Sequence, residues 1–225
     1  MNISSRLLLA AFFIITAYSS PDTGNSANSS EIHILWQECG VDKLIPFDIF
    51  NEAITGYRQT DNIRKKNILV IIDYSKPSSD ERFFVIDMDS RKLLYHCLVA
   101  HGKNSGDKYA ESFSNDPGSL KSSLGFYLTA ETYSGAHGYT LCLDGLEKDI
   151  NDNARSRDIV IHGADYVSQE FIAKYGRLGK SWGCPALPGK ISKEVIDRIS
   201  NGSCLFIYGK DVTYSKNSRF LKAKY

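Results

Sequence analysis

Cys184 stands in the stretch Leu178-Gly-Lys-Ser-Trp-Gly-Cys-Pro-Ala-Leu-Pro-Gly189, between glycines and prolines and outside any strand or helix pattern. Gly183 lets the backbone approach a ligand closely, and Pro185 fixes the chain just after the sulfur. A thiol held in such a turn suits nucleophilic catalysis, with the N–H groups of Gly183 and Cys184 beside it for a tetrahedral oxyanion. Half of a disulfide, or a thiol without a role, is the plainer alternative. An ordinary thiol titrates at about 8.5, so a nucleophilic cysteine needs a base. Of the five histidines, His33 lies in the amino-terminal segment and His96 in a strand pattern, while His101, His137 and His162 each precede a glycine. His162 closes the run Asp158-Ile-Val-Ile161, begins the loop Gly163-Ala-Asp-Tyr166 and is the histidine nearest to Cys184 in sequence. A strand end is a natural place for a positioned base, and equally for a structural imidazole.

The other cysteines have different surroundings. Cys97, Cys142 and Cys204 sit in strand-like apolar runs, where a buried inert thiol is the usual outcome, and Cys39 lies near the amino end where it could pair. The total of five is odd, so one thiol has no partner within the chain. No His-x-x-x-His or Cys-x-x-Cys spacing suggests a metal site, and no cofactor is expected.

Several elements must position these residues. The continuous β-branched run Ile68–Ile72, then 82–87, 92–100, 125–129, 139–143, 159–161 and 204–208 read as strands. Apolar spacing predicts a helix after Asp48, another over about 168–175, and a third capped by Ser192 with Gly202 beyond its end. Many short strands with few helices indicate a mainly β sandwich or barrel. The weakly apolar stretch from Gly102 to Ser123 is expected to be a loop on the substrate side.

The chain has 225 residues, and 27 basic against 26 acidic side chains leave a charge of +1, against the basic excess of a nucleic-acid binder. Arg6, the apolar run Leu7–Ile15 and the small residues to Ser20 describe a secretory signal peptide, too short to span a bilayer comfortably. The expected division is a signal peptide over 1–19, a polar linker and amino-terminal segment over 20–44, a catalytic domain over 45–210 with a helical lead-in to 66, and a basic tail over 211–225.

Ile161-His-Gly163 followed by Ser181-Trp-Gly-Cys184 resembles the His-Gly and Ser-x-Gly-Cys signature of YkuD-type murein L,D-transpeptidase catalytic domains. The likeness runs in order through Phe50–Tyr57, Ile72–Ser78, Val85–Met88, Val99–Gly106, Phe113–Asn115, Ser122–Gly125, His137-Gly138, Gly145–Glu147, Arg157–Ala164 and Gly183–Leu187. The resemblance implies a YkuD-like β-sandwich or barrel with a few short helices. It also implies an exported bacterial enzyme of the periplasm or cell envelope, monomeric, acting on donor and acceptor peptidoglycan stem peptides. Carried over, Cys184 is the nucleophile, His162 the base and the Gly163 carbonyl the group orienting the imidazole. Gly183, Ser181 and Trp182 shape the loop and oxyanion site, and His137, His101 and Tyr139 are expected to contact substrate. The wider family often has arginine where this chain has Ala186 and sometimes histidine where it has Trp182, with Lys180 or Arg177 either serving as a substitute anchor or standing as plain surface charges. Implied products are a 3→3 cross-link or, with water, L,D-carboxypeptidase action. A non-catalytic wall-binding module is the alternative from another class.

Overall fold

The computed structural model describes residues 23–136 and 138–222. The signal peptide expected over 1–19 lies outside the described residues, as does His137. Among the described residues no helix is long and apolar enough to cross a membrane.

The run of Ile, Leu and Val that opens the catalytic region forms strand β1 (Ile68–Asp73), buried along its whole length, as a strand covered on both faces must be. Seven more follow: β2 (Phe83–Asp87), β3 (Lys92–Cys97), β4 (Gly125–Gly135), β5 (Gly138–Gly145), β6 (Val160–Ala164), β7 (Ala186–Pro188) and β8 (Cys204–Tyr208). They make one sheet in the order β3-β2-β1-β8-β4-β5-β6-β7, with β1/β8 and β6/β7 parallel and the remaining pairs antiparallel. The mainly β fold read from the sequence is thus present as a sheet that curls until its edges almost meet.

Two devices fill the seam between the edge strands β3 and β7. The segment after β3 crosses it, with Ala100 bridging Ala186 and Gly102 bridging Ser181. Helix α4 (Gly189–Ile199) leaves β7 directly and buries Val195, Ile196 and Ile199. Tyr95 on β3 donates to Glu194 of this helix at 2.8 Å, and Arg198 pairs with Asp87 of β2 at 2.9 Å. Gly163 of β6 permits the close packing underneath, since a Cβ there would stand 2.3 Å from Ser192 Oγ.

Four helices lie elsewhere. Helix α2 (Phe47–Gln59) buries Ile49, Phe50, Ala53, Ile54 and Tyr57 at the expected spacing. Helix α3 (Gln169–Tyr175) is capped by Ser168, whose hydroxyl accepts from the Phe171 N–H, and ends at Gly176 in the left-handed region. Helix α5 (Val212–Asn217) is capped by Asp211 and buries Tyr214. Four expectations need correction. The polar segment over 20–44 contains helix α1 (Thr23–Glu38), because Ile32 and Trp36 sit on one helical face and dock on the α2 lead-in, with Trp36 Nε1 donating to the Ile45 carbonyl at 2.8 Å. The third sequence-read helix starts at Gly189 after Pro188, and Ser192 lies inside its first turn, donating to the Gly189 carbonyl. Asp48 makes no cap and only adds favourable charge to the first turn of α2. The basic tail includes α5, anchored because the buried Glu147 accepts from the Tyr214 and Ser218 hydroxyls and the Phe126 N–H.

Phe50 is fully buried at the centre of the α2 face. Phe50→Ala is expected to cost about 3–5 kcal/mol, seen as a lower urea midpoint with an unchanged slope.

Candidate active site

The turn that carries Cys184 hangs from the segment crossing the seam. Arg82, fully buried, donates through Nε and Nη2 to the Val99 carbonyl at 3.1 and 3.0 Å and through Nη1 to the Lys76 carbonyl at 2.8 Å. Its Nη2 also donates to His101 Nδ1 at 2.8 Å, so the His101 proton sits on Nε2, toward the Gly106 carbonyl. The backbone so fixed receives the site: Ala100 N–H donates to the Ala186 carbonyl at 2.9 Å, Ser181 N–H to the His101 carbonyl at 3.0 Å, and Lys103 N–H to the Ser181 carbonyl at 2.7 Å.

Within the turn, Ser181 Oγ donates to the Cys184 carbonyl at 2.6 Å and accepts the Gly183 N–H at 3.1 Å. The Gly183 carbonyl in turn accepts from Ser122 Oγ at 3.0 Å. Gly183 has φ +131°, a left-handed conformation reserved for glycine, and a Cβ would stand 2.9 Å from the Lys121 carbonyl oxygen. These bonds revise one expectation: the Gly183 N–H is already spent on Ser181 and is not free for an oxyanion. The Cys184 N–H beside the sulfur keeps that possibility. Segment 102–123 is packed directly against this turn, with Ser122 Oγ also accepting the Gly102 N–H at 3.0 Å.

Cys184 is 8% exposed. Its Sγ donates to the Asp158 carbonyl at 3.6 Å and accepts the Val160 N–H at 3.5 Å. Burial pushes the thiol up from its ordinary range, opposed by the Val160 N–H and the Arg157 charge. His162 lies two residues beyond Val160 on β6 and pairs in register with Ala186, two residues beyond Cys184. The two side chains therefore belong to adjacent parallel elements. His162 Nδ1 lies 3.0 Å from the Gly163 carbonyl oxygen, which only accepts, so Nδ1 carries a proton.

All five cysteines are free, so no disulfide locks Cys184. Burial pushes the thiols of Cys39, Cys97 and Cys204 up to about 11, 12 and 12, which leaves them inert. Among the described residues no His, Cys, Asp and Glu group could hold a metal ion.

Two residues expected to contact substrate are engaged by other side chains of the protein. His101 is 1% exposed, with both ring nitrogens bonded to Arg82 and Gly106. Tyr139 neighbours Thr140, which pairs with His162, so strand alternation turns Tyr139 to the opposite face. There its hydroxyl donates to Asp197 of α4 at 2.6 Å. Arg177 and Lys180, the substitute anchors, both pair with Asp107 at 2.9 Å. Trp182, by contrast, is 75% exposed although Ser181 and Gly183 on either side are buried. No motif or periodicity singles out Arg82, whose importance lies in the carbonyls it gathers. A cleft of about 790 Å³ opens along the seam, with His96, Leu98, Pro188 and Ala164 in its wall, and neither Cys184 nor His162 lines it.

Residues 42–208 match the family model YkuD_2, described as the L,D-transpeptidase catalytic domain. The chain belongs to this family. Among solved structures, it is similar to an L,D-transpeptidase from Mycobacterium smegmatis, at 12% identity and TM-score 0.40 over 64% of this chain and 59% of that one. It is also similar to the helical cell shape determining protein Pgp2 from Campylobacter jejuni, at 12% identity and TM-score 0.43 over 69% and 54%. The L,D-transpeptidase 3 of Mycobacterium tuberculosis aligns at 10% identity and TM-score 0.41 over 64% and 62%. The chain thus spans less than two thirds of the length of these solved structures. No curated protein matches it. The family signature as this chain carries it, Ser181-Trp-Gly-Cys184, is the turn suspended from the seam-crossing segment.

His101 gives this site a titration signature. Burial, and then the Arg82 charge, lower its pKa to about 4 against an ordinary 6.5. The unfolded chain therefore binds the proton first, and stability is expected to fall as pH drops from about 6.5 toward 4, by up to about 3 kcal/mol. His101→Gln should flatten that part of the stability profile in denaturant titrations at stepped pH.

Proposed function

We propose that this member of the L,D-transpeptidase catalytic-domain family is an exported cysteine acyltransferase acting on peptidoglycan stem peptides. In this reading Cys184 is the nucleophile, His162 the base and the Gly163 carbonyl the group that holds the imidazole. The observation that carries it is the β6/β7 register, which sets His162 opposite Ala186 while the Cys184 sulfur meets the Val160 backbone of the same strand. Family membership supports the substrate class, since L,D-transpeptidases act on cell-wall stem peptides outside the cytoplasm. The apolar amino-terminal run supports export.

His162 Nε2 takes the thiol proton as Sγ attacks the carbonyl that joins the L-centre of the third stem residue to the terminal D-alanine. The proton that leaves Sγ passes to the departing D-alanine amine, and a thioester remains on Cys184. An acceptor amine attacks the thioester, restores the thiol and gives a 3→3 cross-link, while water in its place gives net carboxypeptidase action. Two steps of modest barrier replace one difficult acyl transfer. The resting thiol is neutral, because burial opposes its charge. The base therefore works in the attack itself, and a standing thiolate is not required.

Purified protein incubated with tetrapeptide-stem muropeptides should release D-alanine and accumulate dimers. Cys184→Ala should lower that release by about 1000-fold or more, and His162→Ala by about 100-fold or more. D-alanine without dimers would make the protein a carboxypeptidase. Unchanged release from Cys184→Ala would overturn the assignment.

A further inference from the structure

Arg157 lies in the turn that leads into β6, three residues before Val160. Its half-buried guanidinium makes four hydrogen bonds across the site. Nη1 donates to the Ser114 carbonyl and the Ser123 hydroxyl, both at 2.8 Å. Nη2 donates to the Ser119 hydroxyl at 3.2 Å and the Lys121 carbonyl at 2.7 Å. These acceptors belong to the stretch with little apolar content, which is held by polar contacts rather than by a core of its own. Ser122, in the same stretch, reaches the Gly183 carbonyl. On its other flank the guanidinium abuts the nucleophile turn, for a Cβ on Gly183 would stand 3.5 Å from Arg157 Nη2. One side chain therefore touches both the 114–123 stretch and the turn of Cys184, and all four of its acceptors are neutral oxygens.

The structure assigns to Arg157 a positioning role in the reaction: it clamps the 114–123 stretch against the Gly183–Cys184 turn and keeps a positive charge near the sulfur as its proton leaves. This inference rests on the reading of Cys184 as the nucleophile. A saturated guanidinium is fixed in place by its fork of bonds, so its charge acts from a constant position. The charged and titratable groups that act on the sulfur are Arg157 and the Asp158 carboxylate from the β6 lead-in, Tyr74 after β1 and Tyr166 after β6, and Asp116 acts in turn on Arg157. Burial pushes both tyrosine hydroxyls up to about 12, so they carry no charge at neutral pH. Asp158 opposes the thiolate, and Arg157 with the Val160 N–H favours it.

The test is the pH dependence of alkylation at Cys184 by iodoacetamide, read by peptide mass so that Cys142 is counted apart. In Arg157→Gln the midpoint of the Cys184 profile is expected to rise by about one pH unit, slowing alkylation at pH 7 about tenfold. Arg157→Lys keeps the charge and loses the fork. It should return most of the midpoint while D-alanine release stays below that of the parent. Arg177→Gln, whose parent side chain pairs with Asp107, should leave the midpoint where it was. A purely structural role for Arg157 would lower the melting temperature of the Gln variant and leave its midpoint unmoved, and that result would overturn the proposal. Should Arg157→Gln fail to fold, a parental midpoint with parental turnover in Arg157→Lys would overturn it as well. Because alkylation reads the thiol directly, an unmoved midpoint refutes Arg157 without touching Cys184, whereas loss of the Cys184 assignment appears in the D-alanine assay.

Discussion

The pairing of Ala100 with Ala186 across the seam is the contact on which the site depends. A sheet of eight strands that stopped at its edges would leave β7, only three residues long, with one partner and little reason to persist. The crossing segment gives it a second partner. Arg82 makes that segment rigid by gathering the Val99 carbonyl and the His101 ring, and the His101 carbonyl then receives Ser181. The cysteine turn is thus held from the crossing segment on one side and from Ser122 on the other. This costs the interior a buried cation with no carboxylate bonded to it, offset by four hydrogen bonds and the face of the Tyr74 ring.

The same rigidity sets the chemistry of the sulfur. A thiol buried this deeply resists ionisation, so it stays protonated and unreactive at rest. Around it stand groups that favour charge once the proton goes, the Val160 N–H and the Arg157 guanidinium. In the proposed mechanism its reactivity is tied to His162 as the base.

Much of this was legible in the sequence because local signals and burial agree. The β1 run could only be a strand covered on both faces, and Ser168 with Gly176 mark both ends of α3. Cys184 stood out because its neighbours fit no periodic pattern. The elements that escaped are those fixed by contacts distant in sequence. β7 is short and ends in a proline, so no alternation could announce it. Helix α1 hides behind a polar composition, and only Ile32 and Trp36 carry its docking. His101 and Tyr139 have the residue types of substrate contacts, but one is turned inward to Arg82 and the other faces α4, and neither direction follows from residue type. Gly183 was rightly a glycine for its backbone, while the destination of its N–H required the position of Ser181.

The central claim is that Cys184 alone among the five thiols is an activated acyl acceptor. Incubation of the full chain with a carbapenem, followed by intact mass and peptide mapping, measures this most directly. One covalent adduct per chain, located on Cys184 and absent from Cys184→Ala, is the result the account predicts. An unmodified protein, or an adduct on Cys142 with Cys184 left untouched, would contradict it.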